Sequence, residues 1–258
     1  MNKKKIIISL SFLFLLAFVL RVLYLPRLAL TFGYDQARDA LAAQEILKGD
    51  LKLVGPPTDI PGVFHGPLYY YFLALLYGLN NDPRFAVLGV IFINLLSIVP
   101  LYLLAKDMFK SRLWAWVSVL FFAVSFEAVN YARWLSNPTL VVPAFSLYML
   151  GLWKKNWILI AVGMGIAIQA QLFMLYLLPV TLIYFLLFKP EIRNRNFFIA
   201  LGILTIFMAT FVLAEIKFGF QGIHGLTGFF AEHSETIDLT QRFLNYFVSL
   251  EKVFLNNL

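Results

Sequence analysis

The stretch "TFGYDQARDALAAQEILKGD", residues 31 to 50, carries the side chains best suited to chemistry. Asp35 and Asp39 are four residues apart and Arg38 is three from Asp35, so on a helix the three share one surface. A partly desolvated carboxylate can take a proton from an incoming hydroxyl, and an arginine can stabilise negative charge developing on a phosphate. Beyond a Pro- and Gly-rich turn, "GPPTDIPG", stands His65, which can bind a ligand. Together these groups suit glycosyl transfer from a lipid phosphate. Each also has a plainer reading. Asp35 can cap the helix that follows it, Asp39 can be a solvated or arginine-paired acid, Arg38 can reach lipid headgroups, and His65 can be a turn histidine. The two carboxylates leave a divalent metal open, and the sequence names no other cofactor.

Further polar residues stand out against apolar surroundings. Glu127 lies at the end of an apolar run, where an acid at membrane depth is costly and faces a cavity or a partner. Arg133 is a candidate partner or phosphate ligand, and Asn137 lies on the other side of Trp134 from it. Gln169 and Gln171 interrupt a long apolar stretch and could line the same cleft or satisfy a helix end. Tyr69 and Tyr70, within a run of three tyrosines, suit the headgroup layer and secondarily the stacking of a sugar.

What must position these groups is a membrane-embedded helical bundle. Hydrophobic residues make up 61% of the 258, only 14% are charged, and the mean hydropathy is +0.80. These values lie outside the soluble globular range. The net charge of +7 comes from short basic clusters between apolar runs, which read as topology signals rather than a nucleic-acid surface. There is no cysteine, which excludes disulfides, thiolate nucleophiles and cysteine metal sites.

Apolar runs predict about seven spans: Ile6 to Leu25 as an uncleaved first span, then Phe85 to Ala105, Leu113 to Val129, Thr139 to Trp153, Trp157 to Gln171, Leu172 to Phe188 and Phe197 to Ile216. If they alternate, "MNKKK", "KDMFKSR", "WKKN" and "KPEIRNRN" fall on one side, the cytoplasm, with the N-terminus. The first loop, about residues 26 to 84, is then extracytoplasmic, in the plasma membrane of a multi-pass protein. Within it, Tyr34 to Leu47 has the period of a short amphipathic helix ending at Gly49. The segment "GPLYYYFLALLYGL", residues 66 to 79, is too short to cross and reads as a second interfacial or re-entrant helix. Residues 1 to 217 form the membrane module. Residues 218 to 258 form an extracytoplasmic tail, with helical spacing through Phe243, Phe247, Leu250 and Phe254.

Three stretches in this order, "YDQARDA" after the first span, "FHGPLYYYFLALLYGL" closing the loop and "ARWLSNPTLVVPAFSLYML" opening a later span, resemble the GT-C superfamily of membrane glycosyltransferases. The resemblance is to relatives of the protein O-mannosyltransferases and of the aminoarabinose transferase that modifies lipid A. It implies that the first outer loop carries the catalytic Asp, Asp35, with Arg38 at the spacing of the aminoarabinose branch. Gln36 replaces the acid that often follows, and Asp39 is its substitute. His65-Gly66-Pro67-Leu68-Tyr69-Tyr70 stands where a basic residue precedes Pro-Pro-Leu-Tyr-Tyr, so a phosphate role for His65 would depend on pH. The resemblance further implies a polyprenyl-phosphate sugar donor and a lipid, glycan or protein acceptor. Members are usually longer, which leaves room for a second chain supplying a C-terminal region. A transporter or lipid flippase, or an inactive or split-enzyme subunit, is the alternative. The Gly-interrupted "AVGMGIAIQ" favours the transporter, while the absence of a visible inverted repeat and the clustering of charge in one loop disfavour it.

Overall fold

The structure, a computed structural model, describes residues 3–23, 25, 32–188, 194–234, 246, 248 and 249. Among these residues the only strand-like pairing is an isolated bridge between Pro57 and Phe64, and the rest of the regular structure is helical. In chain order the helices are α1 (Lys3–Val22), α2 (Tyr34–Leu47), α3 (Leu68–Leu79), α4 (Pro83–Leu95), α5 (Ile98–Met108), α6 (Arg112–Val124), α7 (Phe126–Arg133), α8 (Val141–Lys154), α9 (Trp157–Ala170), α10 (Leu177–Phe188), α11 (Arg195–Lys217) and α12 (Gln221–Ser234). Short 3-10 turns, Asn137–Leu140 and Leu172–Tyr176, lead into α8 and α10.

All seven predicted apolar runs are helical, but they are not seven uniform spans. By length and composition two helical stretches can cross a membrane, Pro83–Met108 and Arg195–Lys217; α6 with α7 makes a third if the pair, bent by 55°, is one span. Helix α1 is a continuous twenty residues, whereas α8, α9 and α10 are shorter because breaks intervene: fourteen residues of α9 rise roughly 21 Å at 1.5 Å each, against a hydrocarbon layer of about 30 Å. The chain is an all-helical membrane protein. Helices stand where the first loop was expected to hold them, with α2 on the predicted bounds and α3 only twelve residues long. The spacing through Phe243 and Phe254 lies outside the described residues.

One apolar core gathers α1 to α6, the other α8 to α11. The α8–α9 hairpin is tight because glycines let backbones meet: a Cβ on Gly163 would stand 2.5 Å from the Tyr148 nitrogen, and one on Gly151 2.7 Å from that of Ile160. Lys155, in the left-handed region at φ 52°, turns the chain, and Asn156 caps α9 by accepting from Ile158 and Leu159 N–H. Lys154 pairs with Asp107, so the α5–α6 and α8–α9 turns share one end of the bundle.

The bend between α6 and α7 has a specific support. Arg21, in the last turn of α1, is 0% exposed. Its guanidinium donates to the Phe122 and Ala123 carbonyls near the end of α6 and to Ala17 O, and it lies 5.0 Å from the Phe122 ring centre. A helix end leaves carbonyls without partners, and at membrane depth no water replaces them. Arg21 fills that need.

Candidate active site

Helix α2 begins on Gly33, whose N–H donates to Gln36 Oε1 at 2.9 Å. The residue that departs from the family pattern thus closes the helix start, and it is buried. One turn of α2 then sets the two acids in different surroundings: the Asp35 side chain is 65% exposed and that of Asp39 only 2%. Arg38 joins them, with Nη1 2.7 Å from Asp35 Oδ1, and with Nη2 and Nε 2.7 and 2.9 Å from Asp39 Oδ1. Beneath, α3 packs on α2 and brings Tyr69, Tyr70 and Tyr77 into the electrostatic range of Asp39.

Burial raises the Asp39 carboxyl above the ordinary carboxylate range, against the hydrogen bonds and charge of Arg38. Burial pulls Arg38 down, but the bonds to Asp39 and the nearby negative charges outweigh it and leave the guanidinium raised. The Tyr70 phenol is raised by its burial and by Asp39, and Tyr77 is pushed up to about 12 by the same two causes with Asp82 added. Tyr69 and Tyr70 are buried, so neither is a headgroup-layer ring; Tyr71 is the exposed one of the three, its hydroxyl donating to Lys52 O. The rotation of about 100° per residue along a helix, not the polarity of the residue type, decides which of three equal tyrosines faces out.

His65 sits at the end of a narrow loop. Gly55 N–H donates to His65 O, His65 N–H to Pro56 O, and Thr58 N–H to Val63 O. The loop is docked on the far end of α9: Gly66 N–H donates to Gln169 O at 2.9 Å, and Leu68 N–H reaches Gln169 Oε1 at 3.4 Å. A Cβ on Gly66 would stand 2.1 Å from that Oε1, and one on Gly55 2.0 Å from Gly66 O, so both close approaches require glycine. Leu172 N–H donates to His65 Nδ1 at 2.9 Å, which leaves Nε2 to carry the proton of the neutral ring. Burial, with Arg38 second, pushes His65 down to about 4. The expected pH-dependent phosphate ligand is therefore a neutral Nε2–H donor at physiological pH.

Gln169 is buried; its amide also donates to Phe207 O and, at 2.8 Å, to Thr210 Oγ1 on α11. Asn137 donates to Ala170 O at 2.6 Å and to Gln171 Oε1 at 3.4 Å. The structure so brings together His65, Gln169, Gln171 and Asn137 as one strip, with Arg38 close enough to act on His65. Arg133, half-buried, ends α7 three residues before Ser136. Glu127 is exposed on the first turn of α7 and lines a separate cavity. Among the described residues no group of three His, Cys, Asp or Glu could hold a metal, and Asp35 and Asp39 are instead occupied with Arg38. Arg21 was missed in the sequence; its signal was an arginine inside an apolar run.

No curated protein and no solved structure matches the chain. A family profile described as dolichyl-phosphate-mannose-protein mannosyltransferase matches residues 64–214, which begins at the loop end before His65 and takes in Arg133, Asn137 and the Gln169 turn. That match covers more than half of the sequence, and the chain accordingly belongs to the dolichyl-phosphate-mannose-protein mannosyltransferase family of GT-C membrane glycosyltransferases.

Proposed function

We propose that this glycosyltransferase moves a sugar from a polyprenyl-phosphate donor to an acceptor hydroxyl on a lipid, glycan or protein at the extracytoplasmic face of the plasma membrane, with Asp35 as general base. The observation that carries the reading is the Arg38 fork, which holds one exposed and one buried carboxylate on a single turn of α2. Asp35 takes the proton of the acceptor hydroxyl as its oxygen bonds to the anomeric carbon. The anomeric C–O bond breaks on the opposite face and its electron pair leaves with the lipid phosphate, so the configuration inverts. Three of the five Arg38 N–H groups go to the two carboxylates. The remaining donors serve Tyr70 and a phosphate oxygen, joined by His65 Nε2–H and Arg133. Asp39, out of water, fixes the guanidinium rather than exchanging protons itself.

In this reading all seven apolar helices, bent or short, cross the bilayer, the N-terminus is cytoplasmic, and α2 and α3 lie at the outer interface. The shared end of the α5–α6 and α8–α9 turns fits that alternation. The test is transfer from a panel of polyprenyl-phosphate sugars in proteoliposomes, followed by thin-layer separation. Asp35→Asn should lower turnover by about 10²- to 10⁴-fold, the range of a lost general base, with an unchanged melting curve because the side chain is exposed. Unchanged turnover would overturn the assignment of Asp35.

A further inference from the structure

A cavity of about 330 Å³ opens between α4, α6, α7 and α8, lined by Asn94, Phe122, Glu127, Ala128, Tyr131 and Val142. It shares no residue with the Arg38 fork or the His65 strip. Asn94 is 1% exposed and its Oδ1 has no hydrogen-bond partner, an arrangement that costs the desolvation of a carbonyl oxygen with nothing in return. Glu127 is exposed, and no lysine, arginine or histidine pairs with it among the described residues. Arg21, stacked on Phe122, gives N–H groups of Nη1 and Nη2 to main-chain carbonyls, its Nε has no partner, and it does not line the cavity.

The lining therefore offers two oxygen acceptors, one of them anionic, beside two aromatic rings, and contains no cationic side chain. The Glu127 carboxylate repels an anion placed against it and suits a cation with N–H donors, the rest of whose headgroup stays at the mouth. The side chains around Glu127 in the sequence, Phe121, Val124 and Phe126, are exposed and apolar, which in a membrane protein is a lipid-facing surface. A ligand reaching Glu127 past them comes from the bilayer.

We propose that this cavity binds the protonated primary amine of a membrane lipid headgroup. The ammonium donates to the Glu127 carboxylate and to Asn94 Oδ1 and lies against the Tyr131 ring, and the acyl chains run out past Phe121 and Phe126. Pairing in this way neutralises an acid that would otherwise stand alone at the membrane. The proposal does not rest on the glycosyl-transfer reading.

The test is native mass spectrometry of the full chain in detergent, titrated with short-chain phosphatidylethanolamine, phosphatidylglycerol and phosphatidylcholine. Phosphatidylethanolamine should bind at least tenfold more tightly than the other two, since one lacks the cation and the other lacks N–H donors. Glu127→Gln and Asn94→Leu should each bring it down to the phosphatidylglycerol level, while Glu45→Gln, at an exposed acid in another part of the molecule, should change nothing. Equal affinity for the three lipids, or a full preference retained in Glu127→Gln, would overturn the proposal. Glu127 is exposed, so its variant decides the matter even if Asn94→Leu does not fold.

Discussion

At the scale of single residues, the contrast between Asp35 and Asp39 shows how far spacing reaches. Their positions on one helical surface, with Arg38 between them, follow from the numbers 35, 38 and 39 alone. Which acid is dry does not, because α3 supplies the burial from thirty residues away. His65 is the sharper case: its type suggested a switch near neutral pH, but its environment was invisible until Leu172 came into view. The unfolded chain protonates His65 near its ordinary value of about 6.5 and the folded chain only near 4. The stability that this neutral histidine contributes is complete above about pH 6.5 and is lost as pH falls toward 4, by an amount on the order of 3 kcal/mol. Melting curves in detergent should show that acid-induced loss in the wild type and a smaller one in His65→Gln. Between pH 6.5 and 8 His65 should add no pH dependence to donor affinity, and KM profiles of the same slope against pH in wild type and His65→Gln over that window, whatever their absolute levels, check it.

At the scale of elements, apolar periodicity located the helices well, including α2 on its observed bounds and the break at Gln171. It did not find α12, because a stretch with Gly222, Gly225 and Gly228 reads as a loop by propensity. Tertiary contact explains two of those glycines: a Cβ on Gly225 would stand 2.2 Å from Pro61 O, and one on Gly222 2.1 Å from Glu215 Oε1. The α6–α7 bend was equally illegible, since its support comes from Arg21 about a hundred residues earlier. Arg21→Met should leave the Phe122 and Ala123 carbonyls without a donor, at about 1 to 3 kcal/mol for each buried group left unsatisfied. Spin labels on α6 and α7 should then report a broader distance distribution than in the wild type; an unchanged one would show that the bend is held by other contacts. Gly66→Ala should cost about 1 to 3 kcal/mol by overpacking against Gln169, read as a lower melting temperature.

At the scale of the whole molecule, composition identified a membrane protein and the order of weak motifs its family, whereas the lengths of individual helices carry the departures from seven uniform spans. The chain has no cysteine, so single cysteines can report sidedness without a background. Lys110→Cys and Lys155→Cys should react with an impermeant maleimide only after the membrane is opened, and Lys48→Cys should react in intact cells. The reverse pattern would invert the proposed topology. The bonds from Gly66 and Leu68 to Gln169, and from Leu172 to His65, close contacts across 101 to 107 residues. Synthesis runs at about 5 to 20 residues per second, so the loop that bears His65 waits roughly 5 to 20 s for the segment that completes it. During that interval α2 and α3 are already made, but the His65 loop has no floor until α9 and the segment after it are in place.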